Sequence, residues 1–364
     1  MSRVMVISNV SGGLFSFRRE LIERLAKTEQ VTILASDTGH IEDFRAMGCE
    51  VLIVAMDRHG MNPLVERKLL TGYKRILREK KPDIVLTYTI KPNIYAGMAC
   101  ASMGIPYVAN ITGLGIAVEK PGVMQKVMLR LYRHGLRKAQ KVFFQNKANM
   151  EFLTGKHVIK GPYQLIPGSG VNLERYQVLP YPPDETVEFV FIARIIREKG
   201  IDQYLDAARC IRAKYPNTRF HICGRCGDDY RQTLSELNDN GTVIYHGLVG
   251  DIAAIHRQCA CTVHPSYYPE GMSNVLLEAC ACGRPIITTD RPGCGEIVDD
   301  GVNGYVVRQK DSKDLIEKIE RFLALPAEKR REMGLAGRAK AEREFDRRIV
   351  VDAYLDEVRK AAKQ

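Results

Sequence analysis

Two acidic residues flank the predicted start of a helix in the second half of the chain. Glu270 and Glu278 begin and end the segment EGMSNVLLE, in which Ser273 is a suitable N-cap residue. Glu270 then lies in the preceding loop and Glu278 in the second turn, so both carboxylates can face a ligand at the helix N-terminus, where backbone amides favour phosphate. Carboxylates also accept paired hydrogen bonds from sugar hydroxyls. The alternative is a loop acid followed by an ordinary solvated helix acid.

Two cations follow the first predicted strand of the second half. Arg194 comes directly after the apolar run Glu188–Ala193, and Lys199 lies five residues further on, next to Gly200. Two cations at the carboxyl end of a strand can clamp a diphosphate. The chain has no D-x-D motif, the usual carboxylate pair for a nucleotide-bound Mg²⁺ or Mn²⁺. We therefore expect no metal, and expect Arg194, Lys199 and helix amides to meet the charge of a diphosphate leaving group.

Alternating strands and helices must position these residues. In the first half, strands are predicted at Val4–Ile7, Val31–Ala35, Val51–Val54, Ile84–Thr87 and Tyr107–Asn110. In the second half, they are predicted at Glu188–Ala193, Arg219–Cys223, Val243–Tyr245, Cys261–His264 and Pro285–Thr288. Helices are predicted between them, the first running from about Phe15 to Ala26 after a Gly12-Gly13 loop. This alternation is typical of a parallel sheet covered by helices on both faces.

A break in the pattern divides the chain into two parts. The PGSG run at 167–170 and the Pro-rich stretch at 180–184 indicate a hinge and a linker. We expect residues 1–165 to form a basic, membrane-facing Rossmann-like domain, 166–185 a hinge, and 186–345 a second Rossmann-like domain. Residues 346–364 are predicted to form a helix that crosses back to the first domain. The expected fold class is α/β, with two doubly wound domains that face each other across a ligand-binding cleft.

The positive charge lies in the first half of the chain. The net charge is +11, of which residues 1–161 contribute +12 and the remainder −1. Between Lys120 and Met150 there are eight basic residues and no acid, and four of them fall at helical spacing. These four are Arg130, Arg133, Arg137 and Lys141. A basic helix with apolar residues beside it suits an anionic membrane surface or a phosphate-bearing partner, and a core-packed helix with a solvated basic face is the alternative.

Composition argues against several classes of protein. With 45% hydrophobic and 27% charged residues, the chain is globular rather than disordered. No apolar run approaches the roughly 18 residues of a membrane-spanning helix, and the apolar stretch at Val4–Ile7 is too short for a signal peptide. We therefore expect a cytoplasmic protein whose ten cysteines are free thiols. The CGRC run at 223–226 lacks the second ligand pair that would indicate a zinc site, so ordinary buried thiols are expected.

Three motifs occur in an order that resembles glycosyltransferase family 4, the retaining transferases of GT-B architecture. They are ARxxxxKG at 193–200, HPSxxPEGMSNVLLEA at 264–279 and GRPIITTD at 283–290. The resemblance runs nearly end to end and includes DGVNG at 300–304. It implies that Arg194 and Lys199 contact the donor pyrophosphate, Glu270 the donor sugar and Glu278 the ribose hydroxyls. It also implies a wider set of donor-binding residues, namely Gly12, Gly13, Gly271, Met272, Ser273 and Asn274.

Two further segments resemble a narrower branch of that family. YTIKPNIY at 88–95 and TGLG at 112–115 resemble bacterial enzymes that extend polyprenyl-diphosphate-linked sugars for O-antigen, capsule or protein glycosylation. This implies a UDP-sugar donor, a lipid-linked saccharide acceptor and peripheral association with the inner face of the cell membrane. It also implies acceptor contacts from Lys91, Asn93, Asn110 and Thr112. The basic first half fits a lipid diphosphate at an anionic membrane independently of the resemblance.

One departure concerns histidine. Many family members place a His after the fourth or fifth strand, near the donor sugar, whereas this chain reads NITG at 110–113. That leaves Asn110, Thr112 or Lys91 as sugar contacts. His264 is expected to be structural, and His59, beside Arg58, either touches the acceptor or lines a loop.

The sequence thus predicts a retaining transferase that moves a hexose or N-acetylhexosamine from a UDP-sugar to a polyprenyl-diphosphate-linked sugar. A UDP-sugar 2-epimerase shares this architecture, although the extra acids and histidines expected of one are not evident. A nucleic-acid-binding protein would account for the basic half. However, the basic stretch has little aromatic interleaving and the chain has no Trp, so we expect no nucleic-acid partner.

Overall fold

A computed structural model describes residues 1–37, 39–54 and 62–363 of the chain. These residues form two compact units. The first contains Met1–Ser169, Pro269–Met272 and Arg348–Gln364, and the second contains Gly170–Tyr268 and Ser273–Arg347. Within the described residues, no helix is long and apolar enough to cross a membrane.

The first unit is built on a seven-stranded parallel sheet in the order β3-β2-β1-β4-β5-β6-β7. The strands are β1 (Arg3–Ile7), β2 (Gln30–Ala35), β3 (Glu50–Ile53), β4 (Ile84–Tyr88), β5 (Tyr107–Ile111), β6 (Lys141–Phe144) and β7 (Tyr163–Leu165). The helices are α1 (Ser11–Ala26), α2 (Ile41–Ala46), α3 (Pro63–Lys80), α4 (Gly97–Met103), α5 (Ile116–Glu119), α6 (Val123–Leu136) and α7 (Lys147–Gly155), with a π-helical turn at Pro92–Ala96. Apolar residues from both faces of the sheet form the core, as expected for buried parallel strands.

The second unit is built on a six-stranded parallel sheet in the order β10-β9-β8-β11-β12-β13. The strands are β8 (Val187–Ile192), β9 (Thr218–Cys223), β10 (Ile244–Tyr245), β11 (Cys261–His264), β12 (Ile286–Thr289) and β13 (Gly304–Val307). The helices are α8 (Ile201–Lys214), α9 (Asp228–Asp239), α10 (Ile252–Gln258), α11 (Asn274–Ala281), α12 (Ser312–Leu323) and α13 (Ala327–Glu344), with a 3₁₀ turn at Arg197–Lys199. The helix that follows, α14 (Arg347–Ala361), belongs to the first unit from Arg348 onwards. The predicted α/β class with two doubly wound parallel sheets is confirmed.

The last helix, α14, contributes to the core of the first unit. Its buried residues Val350, Tyr354 and Val358 pack in one cluster with side chains of α1 and of the central strands. The Tyr354 hydroxyl accepts a hydrogen bond of 2.5 Å from Asn110, and Gln140 donates to the Glu357 carboxylate at 2.9 Å. The end of the sequence is therefore needed to complete the hydrophobic core that its beginning forms.

Two local predictions were wrong. Gly12 and Gly13 do not form a loop, because α1 already begins at Ser11 and both glycines lie in its first turn. Lys141 does not continue the basic helix, because α6 ends at Leu136 and Lys141 opens strand β6, where its ammonium lies 3.9 Å from Glu357. The start of α1 and the end of α6 therefore depend on packing rather than on the spacing of residues in the sequence.

Two glycines allow α6 to pack closely against the π-helical turn and α4. A Cβ atom added to Gly135 would lie 2.6 Å from the Cα atom of Ile94, and one added to Gly97 would lie 2.2 Å from the Gly135 carbonyl oxygen. These contacts are backbone to backbone, so a rotamer change cannot relieve them.

We expect Gly135→Ala to lower the free energy of unfolding by about 3 kcal/mol, because the added methyl group must push two backbones apart. Gly72→Ala is the matched control, since Gly72 is also helical and a Cβ atom there would meet nothing within 4 Å. It should raise the free energy of unfolding by up to about 1 kcal/mol through helix propensity. Urea denaturation of both variants measures this, and equal effects would contradict the close approach.

Candidate functional site

The two predicted cations of the second unit converge on one aromatic ring. The Arg194 guanidinium lies 5.4 Å and the Lys199 ammonium 5.1 Å from the centre of the Tyr268 ring. Arg194 follows the carboxyl end of β8, and Tyr268 follows the carboxyl end of β11. Strand order reverses between these two neighbouring strands, the place where doubly wound sheets bind ligands. The structure therefore brings Arg194 and Lys199, which are five positions apart in the sequence, to the same aromatic ring.

Backbone contacts between the two loops fix this arrangement. Gly200 has a φ of +80°, and a Cβ atom there would lie 2.2 Å from the Pro265 carbonyl oxygen. The Tyr267 amide donates a hydrogen bond of 2.9 Å to the Glu198 carbonyl oxygen. Only glycine fits at position 200, both for its left-handed conformation and for the space it leaves. The loop that contains Lys199 and Gly200 therefore packs directly against the loop that contains Pro265.

Tyr268 is a candidate site residue that sequence reasoning missed. It occupies a variable position of the HPSxxPEG motif, and nothing in its local sequence indicates a contact with Arg194 or Lys199. A cation over an aromatic face gains about 0.5–2 kcal/mol and loses conformational freedom, so the ring holds both cations ready for an anion. A strand-end rule applied to β11 as well as β8 would have identified it.

Glu278 lies where the sequence predicted, in the second turn of α11. The helix begins at Asn274 with Ser273 at the N-cap position, although the Ser273 hydroxyl makes no capping hydrogen bond. Burial raises the pKa of Glu278 to about 7, and the Tyr176 hydroxyl, Arg347 and Arg175 offset part of that rise. A half-buried carboxylate has lost part of its hydration, so hydrogen bonds from donors on a ligand would stabilise its charged form. Tyr176 was not predicted.

The segment Pro269–Met272 packs in the first unit. Asn146 donates to the carbonyl oxygens of Glu270 and Gly271 at 2.9 and 2.6 Å. A Cβ atom on Gly271 would lie 2.2 Å from the Gln145 side-chain oxygen and 2.6 Å from the Thr112 carbonyl oxygen. The backbone of Glu270 is thereby fixed, while its side chain remains partly exposed.

Met272 and the residues after it differ in their surroundings. Met272 is buried against Gly168 in the first unit, whereas Ser273 and Asn274 belong to the second. Ser273 is buried and Asn274 half-buried. The predicted donor motif is therefore shared between the two units along the sequence.

Gly12 and Gly13 lie at the amino end of α1, where backbone N–H groups point outwards. A Cβ atom on Gly13 would meet nothing within 4 Å, and one on Gly12 would meet only His40, at 3.9 Å. The open space over a helix N-terminus suits an anion. Asp37 already accepts from the Ser11 amide at 3.2 Å, so an anionic ligand would have to share this end of the helix with a carboxylate.

The predicted acceptor residues are mostly engaged within the first unit. Asn93 accepts from the Thr87 hydroxyl at 2.7 Å and donates to the Asn110 carbonyl oxygen at 2.7 Å. Asn110 is 0% exposed, donates to Tyr354 and accepts from Gln145 at 3.1 Å. The Asn93 amide thus joins the carboxyl ends of β4 and β5, and the Asn110 amide joins β5 to α14 and to Gln145, so their positions do not support a role as acceptor contacts.

Lys91 and Thr112 complete the predicted acceptor set. The Lys91 ammonium is buried and donates to the Glu66 carboxylate at 2.5 Å, so its charge is already paired. Thr112 is half-buried and is the most accessible of the four. His264 is buried in β11, 6.2 Å from the Phe191 ring. Arg58 and His59 lie outside the described residues.

Helix α6 carries a basic surface with exposed apolar residues. Val123 is 80% exposed, and Met124 and Val127 are also exposed. A groove of about 610 Å³ lies along the same helix. Its lining consists of Lys126, Val127, Leu129, Arg130, Arg133 and His134. No acidic residue occurs in α6, so this surface attracts anions and offers apolar contacts beside them.

Comparisons with known proteins agree on the type of enzyme. Residues 180–340 match the family model of glycosyl transferases group 1, and residues 3–146 match that of glycosyl transferase 4-like proteins. The N,N'-diacetylbacillosaminyl-diphospho-undecaprenol alpha-1,3-N-acetylgalactosaminyltransferase of Campylobacter jejuni is 26% identical over 97% of both chains. The capsular polysaccharide biosynthesis glycosyltransferase CapM of Staphylococcus aureus is 28% identical over 44% of this chain and 42% of its own.

Solved structures show the same fold. Anabaena Alr3699/HepE in complex with UDP and glucose has a TM-score of 0.77 at 17% identity and covers 99% of this chain and 100% of its own. A glycosyltransferase from Rickettsia africae has a TM-score of 0.82 at 16% identity, with coverage of 100% and 99%. The predicted GT-B fold is confirmed.

The raised pKa of Glu278 makes a prediction about stability. The folded protein binds the proton of the Glu278 carboxyl more tightly than the unfolded chain, where this carboxyl has a pKa of 4.5. Tighter proton binding raises the free energy of unfolding by up to about 3 kcal/mol. This contribution is complete below about pH 4.5 and is lost as the pH rises to about 7. Glu278→Gln should lack this slope, measured by urea denaturation between pH 5 and pH 8. Parallel pH profiles of the two proteins would contradict the prediction.

Proposed function

We propose a reaction for this chain, which is a glycosyltransferase of the GT-B type and belongs to the group 1 and family-4-like transferases. It transfers a hexose or N-acetylhexosamine from a UDP-sugar to a polyprenyl-diphosphate-linked saccharide. The configuration at the anomeric carbon is retained. The observation that carries the proposal is the convergence of Arg194 and Lys199 on Tyr268 at the carboxyl ends of β8 and β11. Two fixed cations at this position suit the diphosphate of a nucleotide-sugar.

The donor roles follow from the chemistry of each residue. Arg194 and Lys199 would bind the diphosphate, and the Glu278 carboxylate would accept hydrogen bonds from the ribose hydroxyls. Glu270, whose backbone is fixed by Asn146, would contact the donor sugar, and Gly12 and Gly13 would leave room for it. The UDP bound in the Anabaena protein of the same fold supports a uridine donor.

The reaction we propose exchanges one bond for another at the anomeric carbon. The acceptor hydroxyl attacks from the face that the diphosphate leaves, and its proton passes to the departing phosphate oxygen. Arg194, Lys199 and helix amides stabilise the growing negative charge on UDP, so no metal ion is required for this step. The other contributions of the protein are orientation of the reactants and exclusion of water.

The basic surface of α6 supports a lipid-linked acceptor. Lys126, Arg130 and Arg133 would attract the anionic headgroups of a membrane or the diphosphate of the acceptor, while Val123 and Met124 contact the apolar boundary. The Campylobacter relative is named for an undecaprenol diphosphate substrate, which is an acceptor of this class. These features support the proposal that the protein is a peripheral enzyme at the inner face of the cell membrane.

Release of UDP from a panel of UDP-sugars tests the proposal. In excess EDTA, we expect one donor to be turned over only when an extract of lipid-linked sugars is present. Lys199→Ala should reduce this turnover by about 100-fold or more, the scale of losing one charge-stabilising donor. Lys214→Ala, which removes an exposed lysine paired with Glu320, is the matched control and should retain normal turnover.

Three results would contradict parts of this proposal. Near-normal turnover by Lys199→Ala would remove the diphosphate role from this residue. Interconversion of the sugar without acceptor would indicate an epimerase. Turnover that EDTA abolishes would show that a metal ion is needed.

Removing the basic charges of α6 should weaken membrane binding. The triple variant Lys126→Ala, Arg130→Ala, Arg133→Ala should partition into anionic phospholipid vesicles about 100-fold more weakly, because each charge contributes about 1 kcal/mol near such a surface. A control variant removes three exposed charges of α13, Lys329, Arg331 and Arg343, and should bind as the wild type does. Vesicle co-sedimentation at fixed ionic strength measures both, and equal losses would contradict a specific surface.

A further inference from the structure

Three side chains with metal-binding atoms meet inside the second unit. Glu188 is on β8, His221 is on β9, and Cys259 lies between α10 and β11. Their ligand atoms all lie within 4.8 Å of one another. His221 and Cys259 are buried and Glu188 is half-buried. The proposed donor site uses none of these residues. No motif in the sequence indicates a site here, because the three residues are far apart along the chain.

Hydrogen bonds hold the histidine ring in place. The Nε2 atom of His221 lies 2.8 Å from a carboxylate oxygen of Glu188, and its Nδ1 atom lies 2.9 Å from Nε2 of His246. The two imidazole rings stack with centres 5.2 Å apart and planes 13° apart. Both nitrogens of His221 are thus oriented, one towards the carboxylate and the other towards a histidine outside the trio.

The backbone brings the cysteine to the same point. The amide of Ala260 donates a hydrogen bond of 2.7 Å to the Glu188 carbonyl oxygen, which holds the neighbouring Cys259 beside the first residues of β8. Cys259 is 0% exposed. The other carboxylate oxygen of Glu188 lies 3.3 Å from Arg219, so one oxygen remains directed at the trio.

We propose that Glu188, His221 and Cys259 bind a zinc ion. A thiolate, an imidazole and a carboxylate are the ligand types that Zn²⁺ accepts, and three protein ligands leave a fourth tetrahedral position for water. Ligand atoms around zinc lie about 3.5 Å apart. The Nε2 atom of His221 and the Glu188 oxygen, which are 2.8 Å apart, must therefore give up their hydrogen bond and separate by about 0.7 Å, whereas ligand atoms near the 4.8 Å limit must approach by about 1 Å. For Cys259, this proposal replaces the expectation of an ordinary buried thiol.

Binding of the ion has a defined proton balance. The Cys259 thiol releases one proton to solvent and binds as thiolate. His221 binds through Nε2, so its ring proton lies on Nδ1 and is donated to Nε2 of His246, which fixes the tautomer as an outer-shell partner. A dication with one carboxylate and one thiolate is neutral overall, which favours it in a buried place.

The site is separate from the diphosphate-binding residues. Glu188 lies near the start of β8 and Arg194 follows its end, six residues and about 20 Å further along an extended chain. Zinc would therefore join β8, β9 and the chain leading to β11 without touching the donor. Its effect is on the stability of the second unit, and the proposal is independent of the transferase reaction.

Cobalt titration of the full chain, freed of metals by chelation, tests the site. Co²⁺ bound to a thiolate gives a charge-transfer band in the near ultraviolet, and we expect this band in the wild type at one equivalent. Cys259→Ser should lose it, whereas Cys261→Ser, which changes a buried cysteine two residues away, should keep it. His246→Gln should retain the band and weaken binding by about 10-fold or more, since it removes only the outer-shell partner.

Several results would overturn the proposal. These are a wild type without the band at millimolar Co²⁺, or a Cys259→Ser variant that keeps it. If Cys259→Ser does not fold by circular dichroism, Glu188→Gln replaces it, because this change preserves side-chain volume. Glu188→Gln should bind Co²⁺ at least 10-fold more weakly than the wild type, and unchanged affinity would also overturn the site.

Discussion

The Pro265 carbonyl oxygen lies where a side chain at position 200 would have to begin, 2.2 Å from the position of a Cβ atom. This approach holds the loop after β8 against the loop after β11, and the Tyr267 amide reinforces it with a hydrogen bond to Glu198. Arg194, Lys199 and Tyr268 are brought together only because the two loops pack in this way. The proposed diphosphate-binding arrangement of the second unit therefore depends on Gly200, a residue that has no functional side chain.

Much of the fold could be predicted from the sequence. The central strands β1, β4, β8 and β11 are buried on both faces, so they appear as apolar runs that no loop would contain. Three strands were not predicted, namely β6, β7 and β13. β7 is exposed at an edge of its sheet and therefore has no buried apolar pattern, and β13 begins with a glycine, which weakens a strand signal.

The candidate site shows what a motif can and cannot indicate. Arg194, Lys199 and Glu278 could be proposed from the sequence because they occupy strand and helix ends within recognisable motifs. Tyr268 and Tyr176 were missed, because an aromatic residue beside a charge looks like any core residue until the contact is known. Asn93 and Asn110 were assigned to the acceptor, but their amides are satisfied by the fold, and burial of this kind cannot be read from polarity.

The position of α14 has a consequence for the order in which the protein forms during synthesis. The first core is built from residues near the start of the chain, yet Val350, Tyr354 and Val358 belong to it and are made only after the whole second unit. Until α14 leaves the ribosome, the nascent first unit exposes the apolar surface that α14 covers, and Asn110 lacks its hydrogen bond to Tyr354. The second unit can complete its own core first, because its sheet and helices through Glu344 are contiguous apart from four residues. The second unit can therefore complete its core before the first unit, although translation of the first unit begins earlier.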